Sequence, residues 1–283
     1  MAKTASMSER LAVGPDATGF QLAAVDPGAA FGLKKKRALK EIEESRPELL
    51  DLQTRLYAEN RRSLLVVLQG MDTSGKDGTI KHVIGQFNPV DVRITSFKEP
   101  TPQEKRHGFL WRIRRALPGP GQVGIFNRSH YEDVFVARVD ALVPPATLEK
   151  RYEEIRKFEA EVQKAGTRIL KFCLHISWEE QRKRLHERLE DPAKVWKFSE
   201  HDLEVRAKWD QYMAAYSAAI QRCSDPVPWY VIPADNKWFR DWTITQLLLD
   251  ALRSMNLKYP PPKVDVKAMK ARLKAEMHVL GPK

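Results

Sequence analysis

An α/β fold with a mostly parallel sheet of five strands, helices on both faces and a helical lid is predicted for this 283-residue chain by three observations. An apolar run of strand length stands at 64–69, and further strands read at 92–97, 123–126, 168–176 and 229–232. Stretches of helical spacing separate them, and strands that alternate with helices pair in parallel, since each helix returns the chain to the same end of the sheet. The first run opens into Gly70-Met-Asp72-Thr73-Ser74-Gly75-Lys76-Asp77-Gly78-Thr79, a glycine-rich turn that enters a helix. In open α/β sheets, the carboxyl ends of buried strands are where ligands bind.

Composition bounds what such a fold can do. The chain is 42% hydrophobic and long enough to bury one full core, so a single large domain with additions is expected. A formal net charge of +11 favours an anionic partner, whether nucleic acid, a membrane surface or a polyanionic substrate. Cys173 and Cys223 stand in apolar or helical surroundings without metal-ligand spacing, which suits packing roles in a reducing compartment. No apolar block of signal-peptide length opens the chain, and no run approaches the ~20 apolar residues of a membrane span. A soluble, cytoplasmic protein with no membrane partner is expected.

Residues 1–30 are rich in Ala, Gly, Ser, Asp and Pro without sustained periodicity and read as a loosely ordered arm. The basic run Lys34, Lys35, Lys36 then leads into Leu39, Ile42, Leu49, Leu52 and Leu56, a helical pattern expected to break at Pro47. After the first strand and its loop, a helix continues to Phe87, where Asn88-Pro89 ends it. The second strand is followed by a basic helical stretch over 100–117 that carries Arg112, Arg114 and Arg115 and stops at Pro118-Gly-Pro-Gly121. The third strand runs into a polar cluster, Asn127-Arg128-Ser129-His130-Tyr131-Glu132-Asp133. A Ser-His-Asp reading of that cluster fails on spacing, because the residues lie too close for a base that reaches across the fold. A helix marked by Leu148, Tyr152, Ile155 and Val162 precedes the fourth strand. The cationic insertion at about 178–202, with Arg184, Arg188, Lys194 and Lys197, has the character of a lid that closes over phosphates and excludes water. An aromatic stripe from Val205 to Ile220, the fifth strand and a helix over 239–255 complete a domain over 31–258. Pro260-Pro-Pro262 sets off a basic carboxyl-terminal helical segment, 259–283.

The glycine-rich loop carries the chemistry. Gly70, Gly75 and Gly78 permit backbone angles that aim successive N–H groups at one anion, Lys76 adds a point charge, and the following helix offers its positive end. The spacing is that of a Walker A loop, but Asp77 stands where Ser or Thr is usual. A hydroxyl ligand for Mg2+ must then come from Thr73, Ser74 or Thr79, or be replaced by a carboxylate, for which Asp72 is the candidate.

Five stretches together resemble the family-2 polyphosphate kinases: Leu68-Gln-Gly-Met-Asp-Thr-Ser-Gly-Lys-Asp-Gly-Thr79, Ser96-Phe-Lys-Glu-Pro-Thr101, Phe126-Asn-Arg-Ser-His-Tyr-Glu-Asp133, Asp191-Pro-Ala-Lys-Val-Trp-Lys197 and Pro228-Trp-Tyr-Val-Ile-Pro-Ala-Asp235. They run in order from about Phe31 to about Leu257. The resemblance implies a P-loop-kinase-like fold, phosphoryl transfer between inorganic polyphosphate and nucleotides, Mg2+ with Mn2+ as a substitute, and a homo-oligomer. Its residue roles fall on Asp72 as the metal-holding carboxylate, Lys76 in the loop, Asn127 and Arg128 in a second, Walker B-like motif, and Arg188, Lys194 and Lys197 in the lid. Lys34, Lys35, Lys36, Arg112, Arg114 and Arg115 are the expected polyphosphate channel. Many relatives carry Asp at the position of Asn127; Asn resembles the subgroup that accepts both AMP and ADP. AMP, ADP, ATP and guanine nucleotides are the expected nucleotide partners. An ATP-dependent nucleotide kinase would share sheet, loop and lid but not explain the basic surplus. A non-catalytic P-loop protein bound to nucleic acid would explain the charge, yet no nucleic-acid module is recognisable and the aromatics lie at core spacing. No nucleic acid partner is expected.

Overall fold

The computed structural model describes residues 6–280. The first five residues of the expected arm and the last three of the basic tail lie outside the described residues. Six strands form one sheet: β1 (Ala12–Val13), β2 (Ser63–Gln69), β3 (Val92–Ser96), β4 (Val123–Asn127), β5 (Thr167–His175) and β6 (Trp229–Pro233), in the order β1-β6-β5-β2-β4-β3. All neighbours pair in parallel except β1, which runs antiparallel to β6. Among the described residues eleven α-helices accompany it: α1 (Met7–Leu11), α2 (Lys35–Glu59), α3 (Lys76–His82), α4 (Trp111–Ala116), α5 (Glu132–Val139), α6 (Pro145–Lys164), α7 (Trp178–Glu190), α8 (Glu200–Ala207), α9 (Trp209–Arg222), α10 (Lys237–Ser254) and α11 (Val266–Leu280).

The sheet has two apolar faces, as expected of strands buried on both sides. Leu64, Val66 and Leu68 of β2 face a cluster with Leu49, Leu56, Leu248 and Leu252, whereas Leu65 and Val67 meet Phe126, Phe158 and Ile169. A third cluster joins Tyr131, Phe135, Tyr152, Tyr216 and Trp229 under α5, α6 and α9. Register aligns the carboxyl ends of the central strands, with Leu68 opposite Asn127 on one side and Phe172 on the other. The chain leaves β2 toward β3 and later returns to its other side at β5, so the loop after β2 sits at a topological switch point.

Four expectations are corrected. The sheet has a sixth strand because residues 6–30 are not a loose arm. β1 pairs with β6, Leu22 is buried, its N–H donates to Ser217 Oγ at 2.9 Å, and Gln221 Nε2 donates to Phe20 O at 2.6 Å. Such a segment, held by backbone bonds and single apolar anchors, leaves no periodic signature to read. Helix α2 passes through Pro47 unbroken. Bonds to α10 lie on both sides of the proline (Trp242 to Glu41, Gln246 to Ser45, Arg253 to Glu48) and hold the two halves on one axis. The basic stretch 100–117 contains only a short 3₁₀ turn, Glu104–Arg106, and the six-residue α4, separated by the extended His107. Finally, the polar cluster after β4 continues directly as α5, which the sequence reading left out.

Candidate functional site

Two turns meet at the switch point. In the first, Gly70 has φ +150° and Gly75 φ +108°, values that L side chains rarely adopt. A Cβ at Gly75 would collide with the guanidinium of Arg240, which is 2% exposed and paired to Asp241 at 2.7 Å. Arg240 therefore backs the loop from α10. Helix α7 grips the same loop from its other side. Gln181 Nε2 donates to Asp72 O at 3.1 Å, and Arg184 Nη1 donates to Thr73 O at 2.9 Å and Ser74 O at 3.3 Å. Arg184 Nη2 also reaches Ala234 O at 2.7 Å and Asp235 O at 2.9 Å, so one buried arginine ties the loop to the end of β6. Lys76 folds over the loop, with Nζ donating to Gly70 O at 2.7 Å and Met71 O at 3.2 Å. Burial, then the Arg128 charge, pushes its ammonium below the ordinary lysine value.

In the second turn Arg128 takes the left-handed conformation, φ +64°. Its Nη2 donates to Asp72 Oδ1 at 2.8 Å and its Nη1 to Glu132 Oε2 at 3.2 Å. Burial works against the guanidinium charge, but Glu132 and Asp72 outweigh it and hold the pKa above the ordinary value. Asn127 Nδ2 donates to Asp77 Oδ1 at 3.0 Å, and Lys197 Nζ stands 3.4 Å from Asp77 Oδ2. Burial would raise the Asp77 carboxyl; the Asn127 hydrogen bond and the Lys197 charge more than offset it, and the group lies below its usual value. The loop hydroxyls of Thr73, Ser74 and Thr79 are buried with no hydrogen-bond partner.

Asp72, Lys76, Asp77, Asn127, Arg128 and Lys197 are thus brought together, with Gly78 packed against Arg240 in the first turn of α3. Arg188 points within the lid, to Asp202 Oδ2 at 3.1 Å and Lys197 O at 3.3 Å. Lys194 is 61% exposed and paired to Asp191. The six residues expected to form a channel do not make one row. Lys34, Lys35 and Lys36 are exposed at the start of α2. Arg112 is turned inward, its Nη1 donating to Lys98 O at 2.8 Å with the guanidinium over Phe97. Arg114 pairs with Glu161 at 2.8 Å and lines a cavity of about 260 Å³ with Ser63 and Thr167, at the amino ends of β2 and β5 and so at the far end of the sheet from the loop. Arg115 stacks over Trp111. The triad reading of Ser129, His130 and Asp133 has no geometry to support it, since His130 is buried 3.5 Å from Glu159 and Ser129 Oγ lies 3.2 Å from Tyr131 N.

Sequence reasoning missed Arg240, Gln181, Arg184 as the grip on the loop, and Glu132 as the second partner of Arg128. Only the i,i+4 pair Arg184 and Arg188 gave a signal, and it pointed to a mobile cation where the structure has a fixed one.

A parallel sheet with an anion-binding loop at its switch point, an arginine from the neighbouring strand end and a cationic flap defines a P-loop phosphotransferase. The chain belongs to the polyphosphate kinase 2 family, whose family model matches residues 32–260. It is 48% identical over 246 residues to the AMP/ADP-polyphosphate phosphotransferase of Meiothermus ruber, covering 86% of this chain and 92% of that one. It is 44% identical over 225 residues to the ADP-polyphosphate phosphotransferase of Rhodopseudomonas palustris, covering 75% and 78% respectively. The crystal structure of polyphosphate kinase 2 from Arthrobacter aurescens TC1 superposes with a TM-score of 0.92 at 44% identity, over 98% of this chain and 99% of that one.

Proposed function

We propose that this protein transfers phosphoryl groups between inorganic polyphosphate and nucleotides, converting AMP to ADP and ADP to ATP in one pocket and running in both directions. The observation that carries this reading is the convergence of Lys76, Arg128 and Lys197 on one site between β2 and β4, with Asp72 and Asp77 to hold them in place. Both substrates are polyanions. The acceptor phosphate has a second pKa of roughly 6, so it is largely ionised at neutral pH and needs no strong general base. What remains is to hold two anions in line and to neutralise charge on the group in flight. Lys76 and Arg128 bind that group, Lys197 completes the enclosure from the lid, and the loop excludes water from behind.

Phosphotransferases of this kind work with a divalent metal ion, and the loop fits one. Asp72 supplies a carboxylate, and the unpartnered hydroxyls of Thr73, Ser74 and Thr79 supply neutral oxygens. Among the described residues no cluster of three acidic, His or Cys side chains could hold a metal by itself. That suits Mg2+, which keeps several waters and takes the rest of its ligands from one or two carboxylates and substrate phosphates. Bound there, the ion would neutralise charge on the phosphates, with Mn2+ able to replace it. Guanine nucleotides are accepted as well, and the protein assembles as a homo-oligomer in the cytoplasm. Among the described residues no helix is long and apolar enough to cross a membrane.

The test is direct. Purified protein incubated with ADP, Mg2+ and long-chain polyphosphate, without ATP, is expected to form ATP, and with AMP alone to form ADP. No product from either acceptor would overturn the reading, and product from ADP only would restrict it to one acceptor. The same assay with GDP, and mass measurement in solution, check base range and assembly.

A further inference from the structure

Behind the Arg128 turn lies a buried polar cluster that phosphoryl transfer as described above does not use. Lys171, in the middle of β5, is 0% exposed and Glu159, on α6, is 1% exposed. Lys171 Nζ donates to Glu159 Oε2 at 2.7 Å, to Tyr131 OH at 2.9 Å and to Cys223 O at 2.5 Å. Tyr131 OH in turn donates to Glu159 Oε1 at 2.9 Å. The Tyr131 ring packs edge-on against Trp229 and beside Phe135. His130 Nε2 lies 3.5 Å from the same Glu159 oxygen. Burial pushes the Glu159 carboxyl up, but Lys171 and His130 outweigh it and keep the carboxylate ionised.

Stability alone does not account for this cluster. Two ions moved out of water lose several kcal/mol of hydration each, and apolar residues of similar volume at such sites are often as stable or more so. What the cluster does hold is the segment 128–132. Arg128 sits at a positive φ that a non-glycine residue adopts only when its surroundings over-determine it. On the strand side, Arg128 N donates to Leu68 O at 3.0 Å. The Gln69 amide, in the orientation that satisfies both its ends, donates to Glu132 Oε1 at 2.8 Å and accepts from Ser129 N at 2.9 Å. On the core side, the Tyr131 hydroxyl is bonded into the cluster at both Glu159 and Lys171.

We propose that Lys171, Glu159 and Tyr131 are positioning residues for phosphoryl transfer: they anchor the turn from below so that the Arg128 guanidinium is held in its left-handed pose facing Asp72. The proposal rests on the role given to Arg128 above. Ground-state binding of phosphates is spread over the loop backbone and the lid, whereas Arg128, together with Lys76, acts on the group in flight. Loosening its anchor therefore lowers kcat more than it raises either KM.

The experiment compares three variants in the polyphosphate-dependent assay with ADP. Arg128→Ala is the control for the underlying reading and is expected to lose nearly all turnover. Lys171→Met with Glu159→Leu removes both charges together at similar volume. It is expected to fold, by circular dichroism, with a lower Tm because the Tyr131 hydroxyl and the Cys223 carbonyl lose their partners, and to lose about tenfold or more in kcat with both KM values within about twofold. Tyr131→Phe keeps the ring and removes only the hydroxyl, and is expected to give the same split at smaller amplitude. A folded double variant with parental kcat would overturn the proposal. Should the double variant not fold, Tyr131→Phe decides, and parental kcat there overturns it equally. If Arg128→Ala itself keeps normal turnover, the reading of Arg128 is at fault rather than the anchor.

Discussion

Asn127 and Asp77 face each other across the two turns at 3.0 Å, amide to carboxylate. An Asp at 127 would set two carboxylates at that distance, and such a pair stays ionised only if a cation comes between them. ADP chelates a metal ion with its two phosphates and can bring one, whereas AMP is the poorer carrier. Asn127→Asp is therefore expected to shift the ratio of AMP-dependent to ADP-dependent initial rates toward ADP by about threefold or more, with little change in Tm. An unchanged ratio would make the amide a neutral replacement. On the proposed reading, Lys76→Ala removes a cation that binds the group in flight and Asp72→Ala the carboxylate that holds the metal and Arg128. Each is expected to abolish most polyphosphate-dependent turnover while leaving the circular dichroism spectrum as it was. Near-normal turnover in either variant would move the site elsewhere. These side chains were legible in the sequence because glycine-rich spacing and charge mark an anion site. Glu132 lay in view within the same motif, but its role depends on Arg128 turning back over it, which spacing does not show.

Elements divide by whether a local pattern writes them. The bounds of the five strands found in the sequence differ from β2, β3, β4, β5 and β6 by a residue or so at their ends. Helix α2 was expected to break, because propensity at Pro47 was weighed without the hydrogen bonds to α10 that override it. The lid is the instructive case. Its amino-terminal helix, α7, is bonded to the carbonyls of residues 72–74 and so packs with the glycine-rich loop, while the turn at 191–199 beyond it reaches Asp77 of α3 through Lys197. Arg184→Met would strand four carbonyl acceptors and free the loop. It is expected to lower the Tm by several degrees, in the range of about 3 kcal/mol for a broken buried network, and to raise KM for both substrates together. By contrast Lys197→Ala, at a partly exposed pair, is expected to leave the Tm unchanged and to slow turnover. Equal thermal effects in the two variants would contradict this division of α7 from the turn.

At the scale of the molecule, the chain closes on itself. Residues 12–28 lie against β6 and α9, and the carbonyls of Pro27 and Gly28 accept from Asp235 N and Asn236 Nδ2. Removal of residues 1–30 is expected to lower the Tm and expose the edge of β6 to aggregation, measured by thermal denaturation and light scattering; an unchanged Tm would return the segment to the status of a loose arm. The six cations expected to form a channel do not make one row, so polyphosphate binding is expected to depend on dispersed charges and to weaken steeply as salt rises. The phosphate loop, finally, is not a local structure. It is encoded by residues 70–79, yet it is shaped by Arg184 and by the guanidinium of Arg240 pressed against Gly75. A ribosome therefore delivers the loop long before it delivers the two arginines that mould it, and domains generally fold as units during synthesis. On the proposed reading, the nascent chain is expected to pass through most of its translation unable to grip a phosphate, with competence for its substrate arriving only when α10 has emerged and docked.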